Sequence, residues 1–140
     1  MRIALAGLAL TWMLVLSCYD IRQRRLPNLL TLPGATVILV GAAWMGRGLP
    51  AVAGAAALTA TYLVVHLAAP TAMGAGDVKL AIGLGGLAGY FGVDVWFLAA
   101  IGAPLLTAAV IAVSCRAHAV PHGPSMSIAT AAAAGLTLLD

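Results

Sequence analysis

Two aspartates stand where apolar sequence meets charge. Asp77 closes Gly74-Ala75-Gly76-Asp77 and is followed by Val78-Lys79-Leu80, while Asp20 ends a charge-free run and precedes Ile21-Arg22-Gln23-Arg24-Arg25-Leu26-Pro27-Asn28. A carboxyl at the centre of a membrane span costs roughly 3 kcal/mol, so such groups face a packed interior or a water-filled cavity and serve function. Two carboxyls in a partly desolvated site cannot both ionise easily, and the pair holds one proton across a useful pH range. The ionised member can take a proton from water while the protonated one polarises a peptide carbonyl. That hydrolysis needs no metal, nucleophilic side chain or cofactor. The pair would titrate as a unit. Gly74 and Gly76 allow positive φ and close backbone approach, so one helix can turn sharply into the next with the carboxylate at a helix start, where the dipole favours it. Taken alone, the motif is equally an ordinary Asp N-cap after a glycine turn.

The elements that must position these groups are membrane helices. Of 140 residues, 63% are hydrophobic and 8% charged, with a mean hydropathy of +1.07. A soluble domain carries about a quarter charged residues. The composition therefore predicts an all-α, polytopic integral membrane protein, with residues 1–140 forming a single membrane-embedded domain. The net charge of +3 is small and does not point to nucleic acid. Cys18 and Cys115 lie far apart with no CxxC or Cys/His cluster, so neither a metal site nor a disulfide framework is expected. They read as buried free thiols at helix ends.

Six spans follow along the chain. Residues 3–19 form a marginal first one. A cleaved signal peptide is the alternative there, because Val15-Leu16-Ser17-Cys18 loosely resembles a lipidation site, but Leu16 is large for that role and further spans follow. Residues 29–46 form the second, with Pro33-Gly34 bending it or delaying its regular helix. After a tight turn at 47–50 come 51–69, with His66 near its end as a hydrogen-bonded structural residue. Residues 78–92 form a short fourth span whose Gly83, Gly85, Gly86, Gly89 and Gly92 predict close helix packing. An external loop at 90–94 places Tyr90 and Phe91 as interface anchors and Asp94 in solvent. Residues 95–115, kinked at Pro104, and 125–139 complete the set.

Basic residues orient the spans. Arg22, Arg24, Arg25, Lys79 and Arg116 fall on one side, against Arg2 and Arg47 on the other, so the positive-inside rule makes the first side cytoplasmic and puts both termini outside. Asp20 ends the first span and Asp77 begins the fourth. The hairpin between them brings both carboxyls to the cytoplasmic face although they are 57 positions apart.

Three segments carry a resemblance. Tyr19-Asp20 with Arg24-Arg25-Leu26-Pro27-Asn28, then Gly74 to Leu80, and finally Val120-Pro121-His122-Gly123-Pro124 resemble the signature regions of the type IV prepilin peptidases, membrane aspartic proteases with a GxGD motif. The resemblance spans nearly the whole chain. It implies that Asp20 and Asp77 are the catalytic pair, with Gly74, Gly76, Lys79, Pro27, Asn28, Pro121, Gly123 and Pro124 as motif or supporting residues. It implies a prepilin-like substrate, whose N-terminal leader is cut just before its hydrophobic helix, at the cytoplasmic face of the cell membrane. Cofactors are not implied. Larger members carry an N-terminal region with paired CxxC motifs, associated with methylation. The absence of these motifs predicts a peptidase without methyltransferase activity, similar to the short forms of Flp/Tad pilus systems. Position 122 often holds an apolar aromatic residue in the family; this chain has His122, which reads as a bystander.

The supporting residues have plainer readings as well. Lys79 lies two positions after Asp77, so on a helix it points away from it and serves to snorkel to head groups. Pro27 and Asn28 shape the entry to the second span, and Asn28 could supply a hydrogen bond to the site. Arg22, Arg24 and Arg25 set topology and bind anionic lipid, since the leaders that the resemblance implies are themselves basic and would be repelled by them. A different class of function also fits the carboxyls: a small proton- or ion-coupled membrane protein using them as relay groups. That reading gives no specific reason for the glycine turn or the Pro-x-Gly-Pro segment.

Overall fold

The apolar runs form helices, and glycine and proline punctuate them. A computed structural model describes residues 2–114 and 120–139. Among these residues the order is α1 (Arg2–Gln23), α2 (Asn28–Trp44), α3 (Gly48–Ala68), α4 (Ala75–Phe91), α5 (Val93–Ser114) and α6 (His122–Leu139). The architecture is all-α. Of the described helices, α3 and α5 are long and apolar enough to cross a membrane, and α2 is a shorter apolar helix.

Several helix ends differ from the expected ones for local reasons. α1 continues through Asp20 to Gln23 before the chain reverses at Arg24, the one non-glycine residue with positive φ (50°) among those described. That conformation is a common end of a helix, where glycine is the more usual residue. The expected loop at 90–94 is reduced to a single residue: Gly92, at φ 140°, joins α4 directly to α5. Few side chains tolerate that backbone. Asp94 then lies exposed in the first turn of α5, where the helix dipole favours it. α3 and α6 each begin three residues earlier than expected, taking Pro50 and Pro124 into their first turns, where a missing N–H costs nothing. Pro33 and Pro104 lie inside α2 and α5.

α4 is the central helix, packed against α2, α3, α5 and α6. Its glycines explain the intimacy with α3. A Cβ on Gly85 would stand 2.6 Å from the Gly54 carbonyl oxygen, and one on Gly89 would stand 2.5 Å from that of Pro50. Gly92 takes no part in this packing. Trp96 of α5 donates its indole N–H to the Gly54 carbonyl at 2.9 Å, tying a third helix to the same seam. At the far end, Arg47 donates to the Tyr90 carbonyl at 2.7 Å and pins the α2–α3 turn to the end of α4.

α1 is held differently. Its backbone comes close to that of α6 and, lightly, of α2, but among the described residues not to that of α4. The gap is bridged by Trp12, whose ring lies against Gly34 of α2 and Gly83 of α4 and whose indole N–H donates to the Leu30 carbonyl at 2.8 Å.

Size is distributed inside out. The interior is rich in alanine and glycine, with Leu16, Leu80, Leu84, Met126 and Tyr62 among its large members, while Leu29, Trp44, Leu49, Val113 and Leu139 are among many large apolar side chains pointing outward. Cys18 corrects one expectation: it is exposed on the outer face of α1 rather than buried. Cys115 and Arg116 lie outside the described residues, as do 117–119 of the expected last loop.

Candidate active site

Asp20 and Asp77 are both buried, at 7% and 8% exposure, and both line one cavity of about 480 Å³. Its other walls are Arg24, Arg25, Leu26 and Asn28 from the α1–α2 connection, and Gly74, Ala75, Gly76 and Lys79 from the start of α4. The cavity therefore lies between the end of α1 and the start of α4.

Each carboxyl is held by a backbone amide from its surroundings. Asp77 is the third residue of α4, and its Oδ2 accepts from the Gly74 N–H at 3.2 Å, capping its own helix. It thus sits inside the first turn rather than at the N-cap. Asp20 Oδ2 accepts from the Gly123 N–H at 2.9 Å, a buried bond linking α1 to the first turn of α6. A Cβ at residue 123 would stand 2.5 Å from that oxygen, so glycine is the residue that lets the amide approach. No hydrogen bond joins the two carboxyls among the described residues.

The motif glycines play different parts from those expected. Neither Gly74 nor Gly76 has positive φ. Gly76 is set by packing, because a Cβ there would meet the Leu26 side chain at 3.3 Å and the leucine would have to give. Gly74 has an extended backbone and ordinary room for a Cβ, and nothing in the structure demands glycine there.

Both acids lie at the edge of their apolar stretches, Asp20 just past 3–19 and Asp77 just before 78–92. Burial pushes the Asp77 carboxyl up to about 6; the negative charge of Asp20 adds to the rise, while the Gly74 N–H and His66 pull the other way. Burial also raises Asp20, opposed by the Gly123 N–H. Two acids raised in one cavity are suited to holding a single proton between them.

The remaining expected residues are accounted for. Lys79 donates to Asn28 Oδ1 at 2.8 Å, so Asn28 binds the lysine rather than a carboxyl, and the pair ties α2 to α4 at the cavity wall. Pro27, extended, precedes α2, and its carbonyl accepts from the amides of Leu30 and Thr31 at 3.0 and 3.1 Å. His66 Nδ1 lies 2.6 Å from the Met73 carbonyl, closing the turn that leads to Gly74. Pro121 precedes α6 and Pro124 lies within its first turn, flanking the Gly123 amide. His122 is half-buried between α3 and α5, edge-on to Tyr62 with centroids 5.7 Å apart. Arg24 and Arg25 line the cavity itself, a place that their reading as topology signals does not anticipate. Leu26 and Trp12 carry no local signal because their partners, Gly76, Gly34 and Gly83, are distant in sequence. Among the described residues no group of three His, Cys, Asp or Glu side chains converges as metal ligands.

Comparison with protein-family models matches residues 7–138 to the type IV leader peptidase family. The chain belongs to that family. The match runs from the first helix to the last and includes residues 19–28, 74–80 and 120–124. No curated protein and no solved structure matched the chain. Leader peptidases remove N-terminal segments from precursor proteins, and hydrolysis of a peptide bond is chemistry that two buried carboxyls can perform without other groups.

Proposed function

We propose that this leader peptidase is an aspartic endopeptidase embedded in the cell membrane by six spans, with both termini outside and its cavity toward the cytoplasm. Its substrate is the N-terminal leader of a prepilin-like precursor, cut just before the precursor's hydrophobic helix. The observation that carries this reading is the convergence of Asp20 and Asp77 on one cavity at the same end of the helices. Residues 1–140 act as one domain in it.

The inside-out distribution of size supports the membrane assignment. Large aliphatic side chains face outward on every helix except the central α4, which would be an aggregating surface in water and is an ordinary one in lipid. The three basic side chains around the cavity, Arg24, Arg25 and Lys79, support a cytoplasmic mouth.

In the reaction, the ionised carboxyl takes a proton from a water whose oxygen attacks the scissile carbonyl carbon. The protonated carboxyl gives its proton to the carbonyl oxygen, forming a neutral tetrahedral diol. Collapse of the diol breaks the C–N bond, with one proton passing to the leaving amine, and restores a singly protonated pair. The Gly74 and Gly123 amides keep one oxygen of each acid occupied, so the other oxygen is the one available to water or substrate.

The test is co-expression of a tagged prepilin from the same genome with the wild type, Asp20→Asn or Asp77→Asn. The wild type is expected to shorten the precursor, with the new N-terminus beside the hydrophobic segment, and neither variant to do so while both insert normally. Substantial cleavage by either variant would rule the pair out as the catalytic groups.

A further inference from the structure

The Gly123 amide binds Asp20 only if the first turn of α6 is held against α1, and an anchor for that turn lies one residue away. The side chain of His122 points from α6 to α5, where its Nδ1 is 2.6 Å from Thr107 Oγ1. Thr107 Oγ1 also lies 3.2 Å from the Ala103 carbonyl, to which it donates. Whichever of the two donates in the shorter contact, it joins α5 to the first turn of α6. The opposite nitrogen, Nε2, is buried and has no partner among the described residues. A second N–H at that place would be an unsatisfied buried donor, so the arrangement favours the neutral ring. Tyr62 closes the other side, edge-on at 5.7 Å.

We propose that Thr107 and His122 are positioning residues: their hydrogen bond locks the start of α6 and thereby aims the Gly123 N–H at Asp20. The inference deepens the aspartic reading of the site and rests on it for its catalytic consequence. Its structural content, control of the amide that binds Asp20, stands without it. His122 on this account is part of the site's frame and not a bystander. Position 107 gains a role that no motif around it announces.

The consequence is a change in Asp20's affinity for a proton. A carboxylate that loses a good amide donor binds its proton more tightly. The titratable and charged groups around Asp20 are Asp77 and Lys79 on α4, Arg24 and Arg25 after α1, and Tyr62 and His122 behind the Gly123 turn. Thr107→Val adds or removes no charge, changes the hydrogen bonding of His122 among these groups, and keeps the side-chain shape. Thr107→Ser keeps the hydroxyl and is the conservative rescue.

The experiment reads Asp20 directly. In Asp77→Asn protein, the infrared band of protonated carboxyl groups is followed against pH, and Asp20's share is assigned by its loss in the variant that also carries Asp20→Asn. Adding Thr107→Val is expected to raise the Asp20 midpoint by about half to one pH unit, the size of a weakened hydrogen bond to a charged group. Thr107→Ser is expected to leave it in place. With Asp77 restored, Thr107→Val is expected to lower kcat roughly three- to tenfold with KM little changed. An unmoved midpoint in Thr107→Val overturns the proposal, as does an equal shift in Thr107→Ser. The spectroscopic arm needs no cleavage, so a failure of the peptidase reading and a failure of this inference are separable.

Discussion

The amide of Gly123 and Oδ2 of Asp20 are 2.9 Å apart in the interior, joined across 103 positions of sequence, with no room for a side chain on the glycine. The first prediction is that Gly123→Ala abolishes this contact. Its Cβ would fall 2.5 Å from Oδ2 and 3.1 Å from Cγ, so either α6 retreats or Asp20 turns away. Overpacking of this kind costs about 1–3 kcal/mol in stability. Leader cleavage should fall at least tenfold, while protein yield and membrane insertion fall much less. Wild-type processing by Gly123→Ala would show that the amide is dispensable.

A second prediction concerns pH. An aspartate's ordinary value is about 3.9, and burial together with the Asp20 charge holds Asp77 at about 6. A carboxyl raised on folding favours the folded state below its unfolded value, and that advantage is lost as pH rises through the folded one. Asp77→Asn removes this penalty. Its thermal stability in detergent should exceed the wild type's by on the order of 2–3 kcal/mol at pH 8, and the difference should shrink toward nothing near pH 4. An offset independent of pH would contradict the assignment. For the wild type, which on the proposed mechanism needs one proton on the pair, the alkaline limb of kcat should lie at or above about pH 6.

What could be read from the sequence, and what could not, divides along a physical line. That Asp20 and Asp77 share a cavity was legible because a carboxyl is conspicuous beside apolar sequence, and the α2–α3 hairpin brings both to one end. The close packing at Gly85 and Gly89 was legible because glycines at that density in an apolar helix have few other uses. The single-residue link at Gly92 was not, since one positive φ replaced an expected loop without changing composition. Nor was the donor to Asp20, because a backbone N–H carries no residue-type signal. The bond from Lys79 to Asn28 depends on how α2 and α4 pack, which no local spacing reveals.

Third, two identical substitutions should have opposite signs. Gly89→Ala puts a Cβ 2.5 Å from the Pro50 carbonyl oxygen and 3.1 Å from the Gly54 Cα, backbone atoms that can yield only by parting α3 from α4. It should cost about 1–3 kcal/mol. Gly41 lies inside α2, and a methyl group added there would meet nothing within 4 Å. Gly41→Ala should therefore stabilise by about 0.5–1 kcal/mol through helix propensity alone. Thermal unfolding in one detergent decides both, and a destabilised Gly41→Ala would mean that an unseen surface covers that face.

The last prediction tests what spaces the two aspartate-bearing helices. The backbones of α1 and α4 stay apart, and the Trp12 ring of α1 fills the space between them. A Cβ on Gly83 would lie 2.7 Å from Trp12 Cη2, so Gly83→Ala should push α1 outward, widen the cavity and lower both stability and cleavage. Trp12→Phe alone removes the far edge of the ring and the 2.8 Å bond to the Leu30 carbonyl, and should cost about 1–2 kcal/mol. Combined, the smaller ring makes room for the new methyl. The double variant should then be more stable than the two single losses sum to, by about 1 kcal/mol. Its cleavage rate should recover above that of Gly83→Ala. Strict additivity in both readouts would mean that the ring does not set the distance between α1 and α4, and that the spacing of the carboxyls is carried by α6 through Gly123 alone.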